Sequence, residues 1–157
     1  MANAKRLEVV SDLKSHTGFW LRFVSNHVSH TFAARLLKSG VTVAEWVILR
    51  EMYDGELGMA PSLLAEATGL SRGAVSKLVD RLFHKKLLTR TDRSDDRRFQ
   101  KIALTDAARE LVPKLASIAD ANDAVFFAAL TKGERAALLA TLKKLVKANG
   151  LTRIPTE

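Results

Sequence analysis

From Leu7 to Leu37, apolar or near-apolar residues return every three or four positions, at Val10, Leu13, Thr17, Trp20, Val24, His27, Thr31 and Ala34. That is the period of an α-helix. Phe19, Leu21, Phe23, Val28 and Phe32 widen the stripe, and only Gly18 interrupts it. The pattern predicts one helix of about 30 residues, about 45 Å long at 1.5 Å per residue. A small domain cannot cover that length, so part of the face is expected to meet a second chain. Ser39-Gly40 ends the helix. Thr42 followed by Glu45 reads as a capping box. It opens a short helix through Trp46, Ile48 and Leu49 to about Tyr53. Residues 54–58 form a turn. Pro61 suits the first turn of the next helix, PSLLAEAT, which Gly69 stops. Ser71 caps a further helix, RGAVSKLVDRLFHKK.

The period then changes. Leu87 to Thr91 and Phe99 to Thr105 read as short strands, with Ile102 and Leu104 two apart. The charged run DRSDDRR joins them as a hairpin. After Thr105 the helical period resumes through Leu111, Leu115, Ile118 and Val125 to Leu130. Pro113 is either a kink or a first-turn residue there. Thr131 and Glu134 make a second capping box. The last helix carries Leu138, Leu139, Leu142, Leu145 and Val146 and ends at Asn149-Gly150. The expected fold is mainly α with one small β-hairpin.

Within the central pair of helices, Ala65, Gly69, Val75 and Leu78 follow at intervals of four, six and three. The small Ala lets two helices cross closely, Gly69 permits the turn, and Val75 and Leu78 hold the second helix against the first. This is the spacing of a helix-turn-helix, whose second helix enters the DNA major groove. A helical hairpin that binds nothing has the same core. The outward face adds weight to DNA: Ser71, Arg72, Ser76, Lys77 and Arg81, with the small Gly73 and Ala74 between them. Gly73 costs about 1 kcal/mol against alanine inside a helix, which a close approach to a partner explains. A hairpin following such a helix is a wing. Arg90, Arg93, Arg97 and Arg98 make it cationic, and Asp92 and Asp95 (with Asp96) are expected to pair with arginines and turn N–H groups as its scaffold.

Bulk properties agree with an anionic partner. The 157 residues hold 25 Lys and Arg against 17 Asp and Glu, a formal net charge of +8. The absence of cysteine excludes disulfides, thiolate metal sites and thiol redox sensing. No signal peptide or membrane span is read, so a cytoplasmic location is expected. His27 and His30 lie three apart, but no third ligand with suitable spacing accompanies them, so neither metal nor cofactor is expected. Gly-rich phosphate loops, zinc-protease motifs and nucleophile elbows are missing, which argues against an enzyme.

Taken together, TVAEWVILREM, PSLLAEATGLSRGAVSKLVDRLFHKKLLTR, DRSDDRR, IALT and LTKGERAALLATLKKL make the chain resemble the MarR family of bacterial transcription regulators over nearly its whole length. The specific part is Leu63 to Thr105. The resemblance implies a winged helix-turn-helix over residues 38–105. Residues 1–37 and 106–157 would form a helical dimerisation region. It implies a homodimer on a pseudo-palindromic operator, acting as a repressor and often relieved by a small phenolic or aromatic anion. Asp92, Asp95 and Arg97 match the family's wing signature, and Ser71, Arg72, Ser76 and Lys77 fall on its recognition helix. Ala108 stands where the family usually has glycine. The family's effector position, between the dimer region and the winged helix, points to His16, Phe19, Trp20, Phe23 and Trp46, which otherwise read as core and dimer packing. The alternative reading is a winged-helix protein that binds DNA non-specifically or mediates protein interactions, without ligand response.

Overall fold

The computed structural model describes residues 10–55, 58–90 and 101–156. Its first helix is shorter than the periodicity predicted. The Asp12 carboxylate accepts the Lys14 N–H (3.2 Å), and the Ser15 hydroxyl donates to the Asp12 carbonyl (2.6 Å). These bonds make a single 3-10 turn at Leu13–Ser15. His16 is extended, and helix α1 runs Thr17–Leu37, 21 residues rather than about 30. Local side-chain bonds compete with the helical ladder, and an apolar stripe does not register them. The Trp20 indole N–H donates to the Lys14 carbonyl (2.8 Å) and folds the turn onto α1.

Helix α1 closes with Val41 N–H on the Leu36 carbonyl (3.4 Å) and Gly40 N–H on that of Leu37 (3.0 Å). Gly40 takes the left-handed conformation this closure needs, φ 73°. Helix α2, Val43–Tyr53, opens with the expected box. Thr42 N–H donates to Glu45 Oε2 (2.8 Å), and Glu45 N–H donates to Thr42 Oγ1 (3.2 Å). Helix α3 is Pro61–Thr68 and α4 is Arg72–His84. Strands β1, Leu88–Arg90, and β2, Ile102–Leu104, pair antiparallel, with Leu88 opposite Leu104 and Arg90 opposite Ile102. Met59, just before α3, pairs with the other edge of β2 by two bonds to Ile102 (2.8 and 2.9 Å). The hairpin is thereby tied to the entrance of the helix-turn-helix. Helix α5 spans Asp106–Phe126, ending before the expected Leu130, and contains Pro113 in its interior. Helix α6 is Lys132–Ala148, behind the Thr131–Glu134 box.

The core lies where α1's end, α2, α3, α4, the hairpin and the first half of α5 meet. Leu36, Ile48, Leu49, Leu64, Val75, Leu82 and Leu115 are each 0% exposed. Ala108 is also fully buried, and its N–H is capped by Thr105 Oγ1 (3.2 Å), so alanine satisfies the turn into α5. No residue of α6 is buried within the chain.

One charged side chain sits in this core. Glu45 is 1% exposed, and its Oε2 accepts from Lys85 Nζ at 2.7 Å. The same ammonium donates to the Gly40 carbonyl (2.7 Å), so the last turn of α4 is fastened to the start of α2. Burial raises the Glu45 pKa. Against it act the hydrogen bond from Lys85, the Thr42 N–H and the Lys85 charge, and together they hold it below 4.5. A lowered folded-state pKa stabilises the fold in full above the ordinary carboxylate value, and the contribution fades as pH falls through it. Glu45→Ala is expected to cost about 2 kcal/mol, less than a fully buried pair because Lys85 remains partly in water. That lowers the melting temperature by about 6 °C at neutral pH. Measured by circular dichroism, the gap between wild type and variant narrows below pH 4.5.

Candidate nucleic-acid interface

Helix α4 has two unlike faces. Val75, Leu78, Val79 and Leu82 are buried, and Ala65 across the crossing is buried with them. Gly69 adopts φ 65°, the left-handed turn conformation its position requires. Ser71, Arg72, Gly73, Ser76, Lys77 and Arg81 are all exposed. These are the residues the sequence placed outward, and the fold puts them on one surface. Among the described residues, Arg72, Lys77 and Arg81 take part in no ion pair. Nothing stands within 4 Å of where a Gly73 Cβ would be, so internal packing makes no demand for glycine there.

Ser71 has a second task. Its Oγ accepts the Ala74 N–H (3.2 Å) as the N-cap of α4, leaving its hydroxyl hydrogen to donate outward. Asp80, exposed four residues beyond Ser76, is a carboxylate on this helix that the sequence reading passed over, although the i, i+4 spacing was visible. It repels phosphate from the middle of the exposed face, between Lys77 and Arg81.

Arg90, in β1, lies with its guanidinium carbon 5.6 Å from the Phe83 ring centroid. That stacking fixes the base of the hairpin beside α4. The expected wing residues Asp92, Arg93, Asp95, Arg97 and Arg98 lie outside the described residues.

The five candidate effector residues do not form one wall. Phe19, Trp20 and Phe23 associate on the first turns of α1, with ring centroids 5.2 to 6.4 Å apart. His16 precedes them, exposed, at the N-cap. Trp46 instead lines a cavity of about 200 Å³ with Ser29, Phe32, Val43, Val47 and Pro155. That cavity meets α1 first at Ser29, six residues and about 9 Å beyond Phe23. A stripe shows which residues share a face but not which stretch of it another element covers, so Phe32 and Pro155 were missed. A second cavity, about 370 Å³, lies between the end of α1 and α5, lined by Arg35, Lys38, Ser39, Ser117, Ile118 and Ala121.

Residues 39–98 match the MarR family. That segment is similar to the MarR-family winged helix. The matched segment runs from the end of α1 through α4 and into the hairpin, which is the surface just described. Proteins of the MarR family are transcription regulators. Solved MarR-type structures superpose over most of the chain. BpsR of Bordetella bronchiseptica, described with regulation of its DNA binding by 6-hydroxynicotinic acid, is 25% identical with a TM-score of 0.74, covering 87% of this chain and 97% of its own. A MarR-family regulator from Rhodococcus sp. RHA1 is also 25% identical, with a TM-score of 0.73 and the same coverage of 87% and 97%. MepR of Staphylococcus aureus, solved with DNA, is 24% identical with a TM-score of 0.74, covering 85% and 98%. Among the described residues no helix is long and apolar enough to cross a membrane.

Proposed function

We propose that the protein is a homodimeric, cytoplasmic repressor that binds a pseudo-palindromic operator and is released by a small aromatic anion. The observation that carries this reading is the outer face of α4: three unpaired cations, two hydroxyls and a sterically free glycine above a fully packed inner face. In this reading Ser71, Arg72, Gly73, Ser76, Lys77 and Arg81 enter the major groove, while Arg90, Arg93, Arg97 and Arg98 serve the flanking minor groove. Asp92 and Asp95 shape the wing between them.

The dimer reading rests on α6. Leu138, Leu139, Leu145 and Val146 are all exposed there. Val28, Phe127 and Leu142 join Leu138 and Leu139 around a mainly apolar groove of about 330 Å³ that the Asp123–Arg135 ion pair also lines. Apolar surface on this scale is normally covered, and a two-fold copy of residues 1–37 and 106–157 covers it with the same elements. The two recognition helices then stand about 34 Å apart, one turn of DNA. For the effector, Trp46 and Phe32 offer an aromatic wall in one cavity, and Arg35 and Lys38 offer cations for a carboxylate or phenolate in a separate one. Regulation of BpsR by 6-hydroxynicotinic acid supports that ligand class. The ligand acts by favouring the conformer that does not fit DNA.

Selection from a random duplex pool, followed by binding titrations and light scattering, tests this. A palindromic consensus, a dimeric mass and a roughly thousandfold loss of affinity between 50 and 200 mM salt are expected, since several phosphate contacts release counterions. A monomer, or binding indifferent to salt, overturns the reading.

A further inference from the structure

The segment after α6 leaves its helix and returns to the helix-turn-helix. Gly150, at φ 60°, turns the chain. Ile154 N–H then donates to the Thr68 carbonyl (3.1 Å). Thr68 is fully buried at the end of α3, where backbone carbonyls have no partner in their own helix. The approach is close: a Cβ on Gly69 would stand 2.8 Å from Arg153 Cα and 2.9 Å from the Thr152 carbonyl oxygen. Two residues along, Pro155 closes one side of the Trp46 cavity. Residues 152–155 are thus held at three points against α3, the turn and the α1–α2 groove, and part of the stretch assigned to dimerisation belongs with the winged helix.

This docking leaves the Arg153 side chain exposed and, among the described residues, without an ion pair or hydrogen bond. Its Cα abuts Gly69, which precedes Ser71 by two residues, so at most about 7 Å separates Gly69 from the cap of α4. A backbone contact that only glycine admits therefore holds a cation beside the entry of the recognition helix.

We infer that Arg153 is a further DNA-contacting residue, delivered by the returning segment to the phosphate backbone that flanks the start of α4. This rests on the DNA-binding reading above. The contact is with phosphate and not with bases, because the segment lies beside the turn and not on the helix that enters the groove. A guanidinium held there pairs bidentately with phosphate oxygens. The segment also joins α6 to the helix-turn-helix, so the cation moves with the recognition helix.

The test titrates the full-length protein against two duplexes, one selected from a random pool and one scrambled. Arg153→Ala is expected to weaken both about tenfold and by the same factor. The slope of log affinity against log salt should fall by about 0.9 per protomer, the signature of one lost phosphate contact. Arg153→Lys retains most of the affinity. Ile154→Pro removes the N–H bonded to Thr68 while keeping the arginine, and is expected to reproduce the loss; melting curves report whether either variant remains folded. If Arg153→Ala binds both duplexes within twofold of wild type with an unchanged slope while Arg72→Ala is weakened, the inference falls and the DNA reading stands. If Arg72→Ala is unaffected too, the DNA reading falls with it.

Discussion

Ser76→Asp is expected to lower operator affinity at least a hundredfold while leaving the protein folded. Ser76 is exposed midway along the outer face of α4, next to Lys77 and one turn after Arg72. A carboxylate there faces phosphates and the acceptor-rich edges of the major groove, and if it pairs with Arg72 one turn before, it withdraws that cation from DNA. Setting like charges against one another in an interface costs about 3 kcal/mol or more, about a factor of 100 in affinity. Among the described residues no hydrogen bond involves the serine hydroxyl, and Asp and Ser differ little in helix propensity, so the melting temperature should move by no more than about 2 °C. Fluorescence anisotropy on a selected duplex, paired with a thermal melt, reads both quantities. An affinity within threefold of wild type would mean that α4 does not lie in the groove.

Leu82→Ala separates folding from binding in the opposite sense. Leu82 is 0% exposed on the inner face of α4, and its carbonyl accepts the Leu87 N–H (2.9 Å) that starts the chain toward β1. Truncation removes buried methyl groups and leaves a cavity at the junction of helix and hairpin. The expected cost is about 3 kcal/mol, which lowers the melting temperature by about 9 °C. The exposed residues of α4 are untouched, so the folded fraction should keep near wild-type affinity at low temperature. A stability loss under about 1 kcal/mol in urea titration would show that the core relaxes into the space and does not hold α4 rigidly.

Much of helix α4 and of its supports was legible in the chain because the causes are local. Thr42 with Glu45, and Thr131 with Glu134, cap their own helices three residues away. Ser71 does the same for α4. The intervals from Ala65 through Gly69 to Val75 and Leu78 encode a close crossing, a left-handed turn and an inner face, and every one of these is found. The break at His16 was not legible, because the helical stripe runs on through a segment whose Asp12 and Ser15 bonds tie the backbone differently. Lys86 gave no warning either. It adopts φ 59° although it is not glycine, and it is held there by its N–H on the Phe83 carbonyl (2.9 Å) and by Leu87 on Leu82.

By itself the chain determined its helices, their caps and the two unlike faces of α4, since each depends on residues within a few positions of one another, and its excess of positive charge, which is composition alone. Only the tertiary structure decided that Lys85 reaches Glu45 and the Gly40 carbonyl, that Trp46 faces Phe32 and Pro155 and not the Phe19–Phe23 cluster, and that Arg153 lies against Gly69. These pairings join residues from 14 to more than 100 positions apart, and no periodicity records which distant surfaces meet. Close packing selects them once the whole chain is in place.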